Sequence, residues 1–320
     1  MNTLDRLMML IQRNGGFINS HAHFDRAYTA QTSDFERDTV NAHLFDKWEY
    51  VNQFKSMASE ERYYNHISEA IYNQVKMGVV AGLSFIDCDQ VSQDRALNAA
   101  LRAKEDWKDQ FTLKIACQTL KGVLEPEPKR WFFDHAHKFD VIGGLPKKDL
   151  GQEGVHIDTL LEVAKANDQL VHVHVDQLNC ESEKETELLA RKVMEHGMEG
   201  KVTAVHSISL AAHPQSYRNE VYKMSLDADL SFVSCPTAWI DHRRSEKLSV
   251  THNAITPIDE MVPLGLTVAI GSDNICDIYK PFSDGNMMTE LRFLLEATHF
   301  YNIEDLVDIA TTNGRKVIGL

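Results

Sequence analysis

Residues 170–176 read LVHVHVD, a short run of valines with polar residues at alternate positions toward its end. A β-branched run of this length is typical of a buried β-strand, whose side chains point to opposite faces in turn. The segment therefore predicts a strand whose carboxyl end carries ionisable side chains.

Seven other segments of this kind occur along the chain, which makes eight in all. They are residues 17–23, 79–88, 111–118, 141–145, 202–207, 230–235 and 266–273. After the first, the segments start about 30 residues apart, which is the length of one βα unit. Helix-like stretches lie between them, and alternating strands and helices predict a parallel sheet. Eight units favour a closed (β/α)₈ TIM-like barrel over an open sheet. No Gly-x-Gly-x-x-Gly follows any of them, which weakens the dinucleotide-binding alternative.

The remaining sequence adds two features to what we interpret as a single barrel domain over residues 1–320. Residues 1–16 are typical of a short amphipathic N-terminal helix rather than a signal peptide. Residues 24–56 form one oversized connection between the first strand and the first long helix. A connection of this length is often a lid or binding loop, and an extra helix packed on the barrel is the alternative.

Composition limits the classes of partner. The chain has 33 basic and 47 acidic residues and a formal net charge of −14, so we expect no binding to nucleic acid. Five widely spaced cysteines argue against a disulfide framework and favour a cytoplasmic location. No apolar run approaches the roughly 18 residues of a membrane span. We expect the partner to be a small molecule. Assembly into a homo-oligomer is a further possibility.

Histidine and aspartate occupy the carboxyl ends of four predicted strands. His21 and His23 end the first, His174 lies near the end of the fifth, His206 ends the sixth and Asp273 follows the eighth. Barrel enzymes build their sites at this rim, and imidazole with carboxylate is a ligand set for zinc or a similar divalent ion. The four strand ends therefore predict one metal centre.

Other histidines receive a structural interpretation. His135 and His137 also form a His-x-His pair, but they lie in a helix-like stretch where residues two apart diverge, so we assign them to the surface. We assign most of the remaining histidines, including His156 and His213, in the same way. His172 lies one layer deeper than His174 and is predicted to be a hydrogen-bonded core residue.

Three motifs resemble the amidohydrolase superfamily, and most closely its cytosine deaminase-like branch, which includes N-isopropylammelide hydrolase. They are FINSHAHFDR at 17–26, EHGMEGKVTAVH at 195–206 and GSDN at 271–274. The resemblance extends from about residue 17 to 320 and implies a metal-dependent hydrolase. Most members add a small β-sandwich, for which there is no room here because only about sixteen residues precede the first strand, so this is either a barrel alone or a shortened form of a longer chain.

The resemblance assigns roles residue by residue. It implies that His21, His23, His174 and Asp273 bind the metal, zinc or iron, and that Asp273 moves the proton as general base and acid. His206 would hydrogen-bond the water at the metal or the developing oxyanion. The fourth strand ends without a lysine suited to carbamylation, since Lys147 and Lys148 come after Pro146, and this favours one ion over a bridged pair.

The same rim supplies candidate substrate-binding residues. The resemblance assigns this role to Gln118, at the end of the third strand. Arg26 faces either the substrate or a salt bridge to Asp25 or the barrel rim. Asn274 is either a substrate contact or a left-handed turn residue. Three more residues in loops after strands seven and eight either shape the pocket or pack beside it: Trp239, His242 and Tyr279.

One position departs from the deaminase pattern. Deaminases of this type carry His-x-x-Glu at the fifth strand, whereas this chain has Gln177 there. A glutamine amide can hydrogen-bond a substrate but cannot be a general acid or base, and Glu181 or Glu183 would have to replace that function. We therefore predict hydrolysis of an amide or cyclic amide C–N bond in a small, nitrogen-rich molecule. The alternatives are a deaminase of a cytosine-like heterocycle and an inactive barrel acting as a binding or regulatory subunit.

Overall fold

The computed structural model describes residues 2–238 and 255–320. Eight parallel strands form one sheet in the order of the sequence, each hydrogen-bonded to the next. They are β1 Phe17–Ala22, β2 Val79–Asp87, β3 Thr112–Gln118, β4 Val141–Gly144, β5 Leu170–Val175, β6 Val202–His206, β7 Ser231–Ser234 and β8 Val268–Ile270. The predicted (β/α)₈ barrel is confirmed.

Helices surround the sheet and alternate with its strands. Those before β5 are α1 Thr3–Arg13, α2 Thr32–Glu36, α3 Leu44–Met57, α4 Glu60–Lys76, α5 Asp94–Asp106, α6 Pro126–His135 and α7 Glu153–Asn167. After it come α8 Glu185–His196, α9 Gln215–Asp227, α10 Ile258–Met261, α11 Met287–Thr298, α12 Ile303–Ala310 and α13 Thr312–Ile318. Within the described ranges, none of these helices is long and apolar enough to cross a membrane.

The barrel closes where the segment after β8 returns to β1. Asp273 donates its backbone N–H to the His21 carbonyl at 2.9 Å, and Ala22 and Asp273 form an isolated parallel bridge. The backbones are so close that a Cβ on Gly271 would lie 2.8 Å from the His21 carbonyl oxygen. Glycine at this position therefore allows the seam to close.

Apolar side chains fill the space on both faces of the strands. One cluster inside the barrel includes Ile18, Leu83, Phe85, Val205 and Val233. A larger cluster joins the outer faces of the strands to the surrounding helices. Burial on both faces explains why the strands read as nearly continuous apolar runs.

The long connection after β1 contains α2 and α3, so it carries an extra helix, as one interpretation expected. It also covers the barrel mouth, because Leu44 and Trp48 of α3 lie over the cavity described below. The two interpretations of residues 24–56 are thus compatible.

Two predictions about isolated histidines agree with the structure. His135 ends α6, where it is half-buried, stacks on Trp131 and lies 2.8 Å from Asp94, whereas His137 in the next turn is exposed, and neither belongs to a strand. His172 is fully buried in β5, and its Nε2 lies 2.8 Å from the Val317 carbonyl. His172 therefore ties the barrel to α13 and is not part of a ligand cluster.

Candidate metal centre and active site

Five side chains converge at the carboxyl end of the barrel. His21 lies in β1, His174 in β5 and His206 at the end of β6, while His23 and Asp273 come just after β1 and β8. His21, His174 and His206 form one group of potential ligand atoms within 4.8 Å of one another, and His21, His23 and Asp273 form another. All five residues are buried, and the two groups share His21, although neither group contains all four predicted ligands.

The backbone at two of these positions is strained. His206 has φ of +76° and Asp273 has φ of +56°, the left-handed region that residues other than glycine seldom adopt. Thr256 donates its hydroxyl to the His206 carbonyl at 2.6 Å, and the His21 carbonyl accepts from Asp273. Such strain persists where surrounding contacts enforce it, and it is concentrated at functional sites.

Several ring nitrogens in the cluster are buried without a hydrogen-bond partner. They include both nitrogens of His21 and Nδ1 of His23 and His206. His174 instead contacts the Gly144 carbonyl through Nδ1 at 3.0 Å, which leaves Nε2 available as a ligand atom. Buried polar atoms are costly unless paired, so this donor set fits a divalent ion.

Burial determines the charge of these groups. It lowers the pKa of His21, His23 and His174, and it lowers the pKa of His206 to about 3, so these imidazoles are neutral at physiological pH. Neutral imidazole is the form that binds metal. Burial alone would raise the pKa of Asp273, but the nearby imidazoles of His21 and His23 hold it well below its usual value.

The carboxylate of Asp273 lies between the two imidazoles of the first motif. Its Oδ1 is 3.2 Å from His23 Nε2 and 3.5 Å from His21 Nε2. The lysine near the end of β4 is engaged elsewhere, because Lys147 forms ion pairs with Glu183 at 3.3 Å and Glu185 at 2.5 Å. The arrangement is consistent with the single ion that the sequence favoured.

The cluster opens into a cavity of about 20 Å³. Every predicted substrate-binding residue lines it: Gln118, Gln177, Arg26 and Asn274, together with Tyr279. Four apolar residues that the sequence did not mark also line it: Leu44, Trp48, Leu120 and Leu145. The aromatic and apolar side chains in the long connection were the signal that could have identified Leu44 and Trp48.

The polar lining residues differ in how they are held. Gln118 is buried, and its Oε1 has no hydrogen-bond partner, so this oxygen is available to a ligand. Arg26 lines the cavity and also lies 3.6 Å from Asp277 and 3.9 Å from Asp87. Arg26 therefore lines the cavity, as one interpretation expected, and also lies within ion-pair distance of Asp87 and Asp277, as the other expected.

Asn274 and Tyr279 organise the segment after β8. Asn274 donates its Nδ2 to Asp277 at 2.5 Å, and the Arg26 guanidinium lies 5.4 Å from the Tyr279 ring centroid. The interpretation of Asn274 as a left-handed turn residue is wrong, because the positive φ falls on the preceding Asp273. Trp239 and His242, also named from the sequence, lie outside the described residues.

Glu183 does not replace the missing deaminase glutamate. Its Oε2 accepts the Leu178 N–H at 2.7 Å and the Ser209 hydroxyl at 2.6 Å. It lines no part of the cavity, whereas Gln177 does. The polar group that this loop presents to the cavity is therefore an amide.

Comparisons with known proteins agree with this fold and site. The model of the Amidohydrolase family matches residues 15–320. The chain is 43% identical over 256 residues to an uncharacterized protein of Haemophilus influenzae, covering 79% of this chain and 92% of that one. It is 25% identical over 319 residues to N-isopropylammelide isopropyl amidohydrolase of Pseudomonas sp. strain ADP, covering 95% and 74%.

A solved structure shares the fold. The crystal structure of 5-methylcytosine deaminase from Klebsiella pneumoniae, liganded with phosphonocytosine, has a TM-score of 0.86 and 23% identity. The match covers 95% of this chain and 75% of that one. This chain belongs to the amidohydrolase family, and it is a hydrolase of carbon–nitrogen bonds other than peptide bonds. Members of the family generally bind a divalent metal.

Proposed function

We propose that this protein is a metal-dependent amidohydrolase that cleaves an amide or cyclic amide C–N bond in a small, nitrogen-rich molecule. The observation that carries the proposal is the buried cluster of four histidines and Asp273, several of whose ring nitrogens have no hydrogen-bond partner. A small molecule is the partner that suits so enclosed a cavity, rather than nucleic acid or a membrane.

His21, His23, His174 and Asp273 would hold one zinc or iron ion. When bound, the ion would supply Lewis acidity, which makes water a usable nucleophile at neutral pH. The Asp273 carboxylate would take a proton from the attacking water and deliver it to the leaving nitrogen. His206, neutral and buried, would hydrogen-bond the developing oxyanion. Losing one such stabilising group typically costs about 10²–10³ in rate.

The polar residues of the cavity would bind and orient the substrate. The free Oε1 of Gln118 can accept a hydrogen bond from a substrate N–H, and the amide of Gln177 can both donate and accept. Arg26 and Asn274 complete this polar side, while Leu44 and Trp48 exclude water. A nitrogen-rich substrate matches these groups, and the named relatives act on such molecules: N-isopropylammelide and 5-methylcytosine.

Gln177 favours amide hydrolysis over deamination of a ring. Deaminating a heterocycle requires a proton donor beside the ring nitrogen, and neither Gln177 nor the engaged Glu183 supplies one. Amide hydrolysis needs only the proton that Asp273 carries from water to nitrogen.

Metal content and product release test the proposal together. Purified protein should contain about one equivalent of zinc or iron, and His174→Ala should lose it, whereas His172→Ala should keep it if it folds. A library of amides and cyclic amides should then yield amine or ammonia release with the loaded protein. Metal retention by His174→Ala would contradict the ligand assignment. Stoichiometric metal without turnover of any compound would favour the inactive, substrate-binding barrel.

A further inference from the structure

Helix α3 covers the metal-centre cavity. Leu44 and Trp48 are only 4% and 7% exposed, and they line the cavity together with His174 and His206. A volume of about 20 Å³ has room for about one water molecule. An amide or heterocyclic substrate is much larger than this space, so a shift of Leu44 and Trp48 away from the cavity would widen the way in.

The apolar face of α3 does not belong to the barrel core. Leu44, Trp48 and Val51 form a small separate cluster at the barrel mouth. The other buried members of this cluster come from the segments after β3, β4 and β8: Leu120, Leu145 and Tyr279. The strands beneath are fixed by ladder hydrogen bonds, whereas this part of α3 rests only on loop side chains.

The carboxyl end of α3 is held differently. Phe54 and Ala58 pack against the main core. Arg95 donates to the main-chain carbonyls of Lys55 at 3.1 Å and Ala58 at 2.5 Å. Lys55 is itself fully buried and pairs with Asp89. This end of the helix is therefore anchored to the barrel by buried and main-chain interactions.

At the other end of α3, Lys47 is buried and its ammonium lies 5.9 Å from the ring centroid of Tyr279, which again belongs to a loop. The other polar contacts of this end lie at the rim. The Lys148 ammonium lies 4.5 Å from the Trp48 ring centroid. Glu49 is largely exposed, and its carboxylate lies 3.6 Å from Lys121 and 4.0 Å from Lys148. Exposed ion pairs of this length contribute little to stability, so they can break at small cost.

Empty space lies on another side of the helix. A second cavity of about 240 Å³ is lined by Tyr50, Val51 and Phe54 of α3 and by Arg26, which also lines the metal-centre cavity. This cavity is a cleft open to solvent, because Tyr50 and Met57 in its wall are exposed, so α3 has space to shift on this side.

We propose that residues 44–51 of α3 are a lid that lifts to admit the substrate and then closes Trp48 onto it, hinged on the anchored residues 54–58. Trp48 is then a substrate-contacting and size-limiting residue. The identity of the substrate rests on the proposed function, but the lid motion does not. Neither of the two tests below measures the turnover of a substrate.

Amide hydrogen exchange tests the hinge in the metal-free protein. Backbone amides of residues 48–51 should exchange at least about tenfold faster than those of 52–57, because only the second group is anchored. Arg95→Met should raise exchange at 52–57 and leave 48–51 unchanged. Arg191→Met, which removes an exposed pair with Glu187, is the matched control and should change neither. Equal protection along the whole helix would overturn the proposal.

Zinc removal by dipicolinate tests access to the cavity in the zinc-loaded protein. Trp48→Ala should speed zinc release about tenfold, because it removes the lid side chain without touching a ligand. Trp131→Ala is the control, since Trp131 stacks on His135 outside the cavity. Equal release rates for Trp48→Ala and wild type would overturn the lid. A protein that binds neither zinc nor iron would contradict the proposed function, and hydrogen exchange would then decide the lid by itself.

Discussion

In the proposed function, Gln177 is the residue that distinguishes this cavity from a deaminase pocket. We expect the unmodified protein to turn over cytosine poorly, because an amide cannot shuttle protons to a ring nitrogen. Gln177→Glu should introduce or raise ammonia release from cytosine, since Gln177 already lines the cavity. Gln177→Leu is the control, which removes the polar group without adding an acid. Efficient deamination by the unmodified protein, with kcat/KM of about 10⁴ M⁻¹s⁻¹ or more, would contradict this assignment.

His156 gives the stability of the fold a dependence on pH. Its Nδ1 lies 2.6 Å from Asp149, and its Nε2 accepts the backbone N–H of Leu145 at 3.2 Å, so the neutral ring satisfies both nitrogens. Burial lowers its pKa below the ordinary 6.5. As pH falls below 6.5, the unfolded chain gains a proton that the folded chain does not, so the free energy of unfolding decreases.

Urea denaturation at several pH values measures this contribution. Below pH 6.5, the free energy of unfolding of wild type should fall with decreasing pH more steeply than that of His156→Gln. The difference in slope approaches about 1.4 kcal/mol per pH unit for one full proton. His299→Gln makes the same side-chain exchange at an exposed turn residue and is the matched control. Equal slopes for wild type and His156→Gln would show that the buried ring does not act in this way.

At the scale of secondary-structure elements, α13 contacts β1 closely through Gly314. A Cβ there would lie 2.6 Å from Ile18 Cβ and 2.9 Å from its Cγ2. Alanine ordinarily stabilises a helix interior by about 1 kcal/mol over glycine, but this overlap should outweigh that gain. We expect Gly314→Ala to lower the free energy of unfolding by about 1–3 kcal/mol.

A second helical glycine provides the comparison. At Gly154 in α7, an added Cβ would meet only Lys192 Cε at 3.7 Å, an ordinary contact. Gly154→Ala should therefore be neutral or stabilising by up to about 1 kcal/mol in the same denaturant titration. If both substitutions had the same effect, contact with Ile18 would not be the reason for glycine at 314.

For the molecule as a whole, the barrel was predictable because its signal repeats. Eight apolar segments at regular spacing predict the sheet, and His21, His174 and Asp273 fall at equivalent points of that repeat. The burial of His156 and His213 was not predictable, and their assignment to the surface is wrong. His156 is satisfied by two residues outside its own helix, and His213 by the Glu183 carbonyl 30 residues away. Hydrogen bonds to partners outside a residue's own helix leave no periodic trace in the sequence.

The position of α3 over the site was predictable only in part, because its contacts also come from separate parts of the chain. Length alone indicated that residues 24–56 form either a lid or a packed helix. Trp48 packs against Leu120, Leu145 and Tyr279, which come from three different parts of the chain. Only the three-dimensional closure of the barrel brings these residues together.

One buried side chain adds to the backbone contacts of that closure. Asn19 is fully buried; its Nδ2 donates to Gln74 at 2.9 Å and to the Ser272 hydroxyl at 2.8 Å, and its Oδ1 accepts the Ser272 N–H at 3.0 Å. It thus links β1, α4 and the segment after β8 at the seam between His21 and Asp273. Asn19→Ala would leave these partners buried and unpaired, at a cost of about 2–4 kcal/mol in the free energy of unfolding.

The same substitution should weaken metal binding, because His21 and Asp273 lie on opposite sides of the seam. We expect Asn19→Ala to unfold at lower urea and to bind zinc more weakly in a competition titration with a chelator. Asn98→Ala is the control, since Asn98 is exposed and makes a single 3.3 Å contact with Glu60. Its effect should stay within about 0.5 kcal/mol, as for most surface substitutions. Asn19→Ala could instead lose stability but keep wild-type zinc affinity. The ion itself would then hold the two sides of the seam together, and the role of Asn19 in positioning the ligands would be wrong.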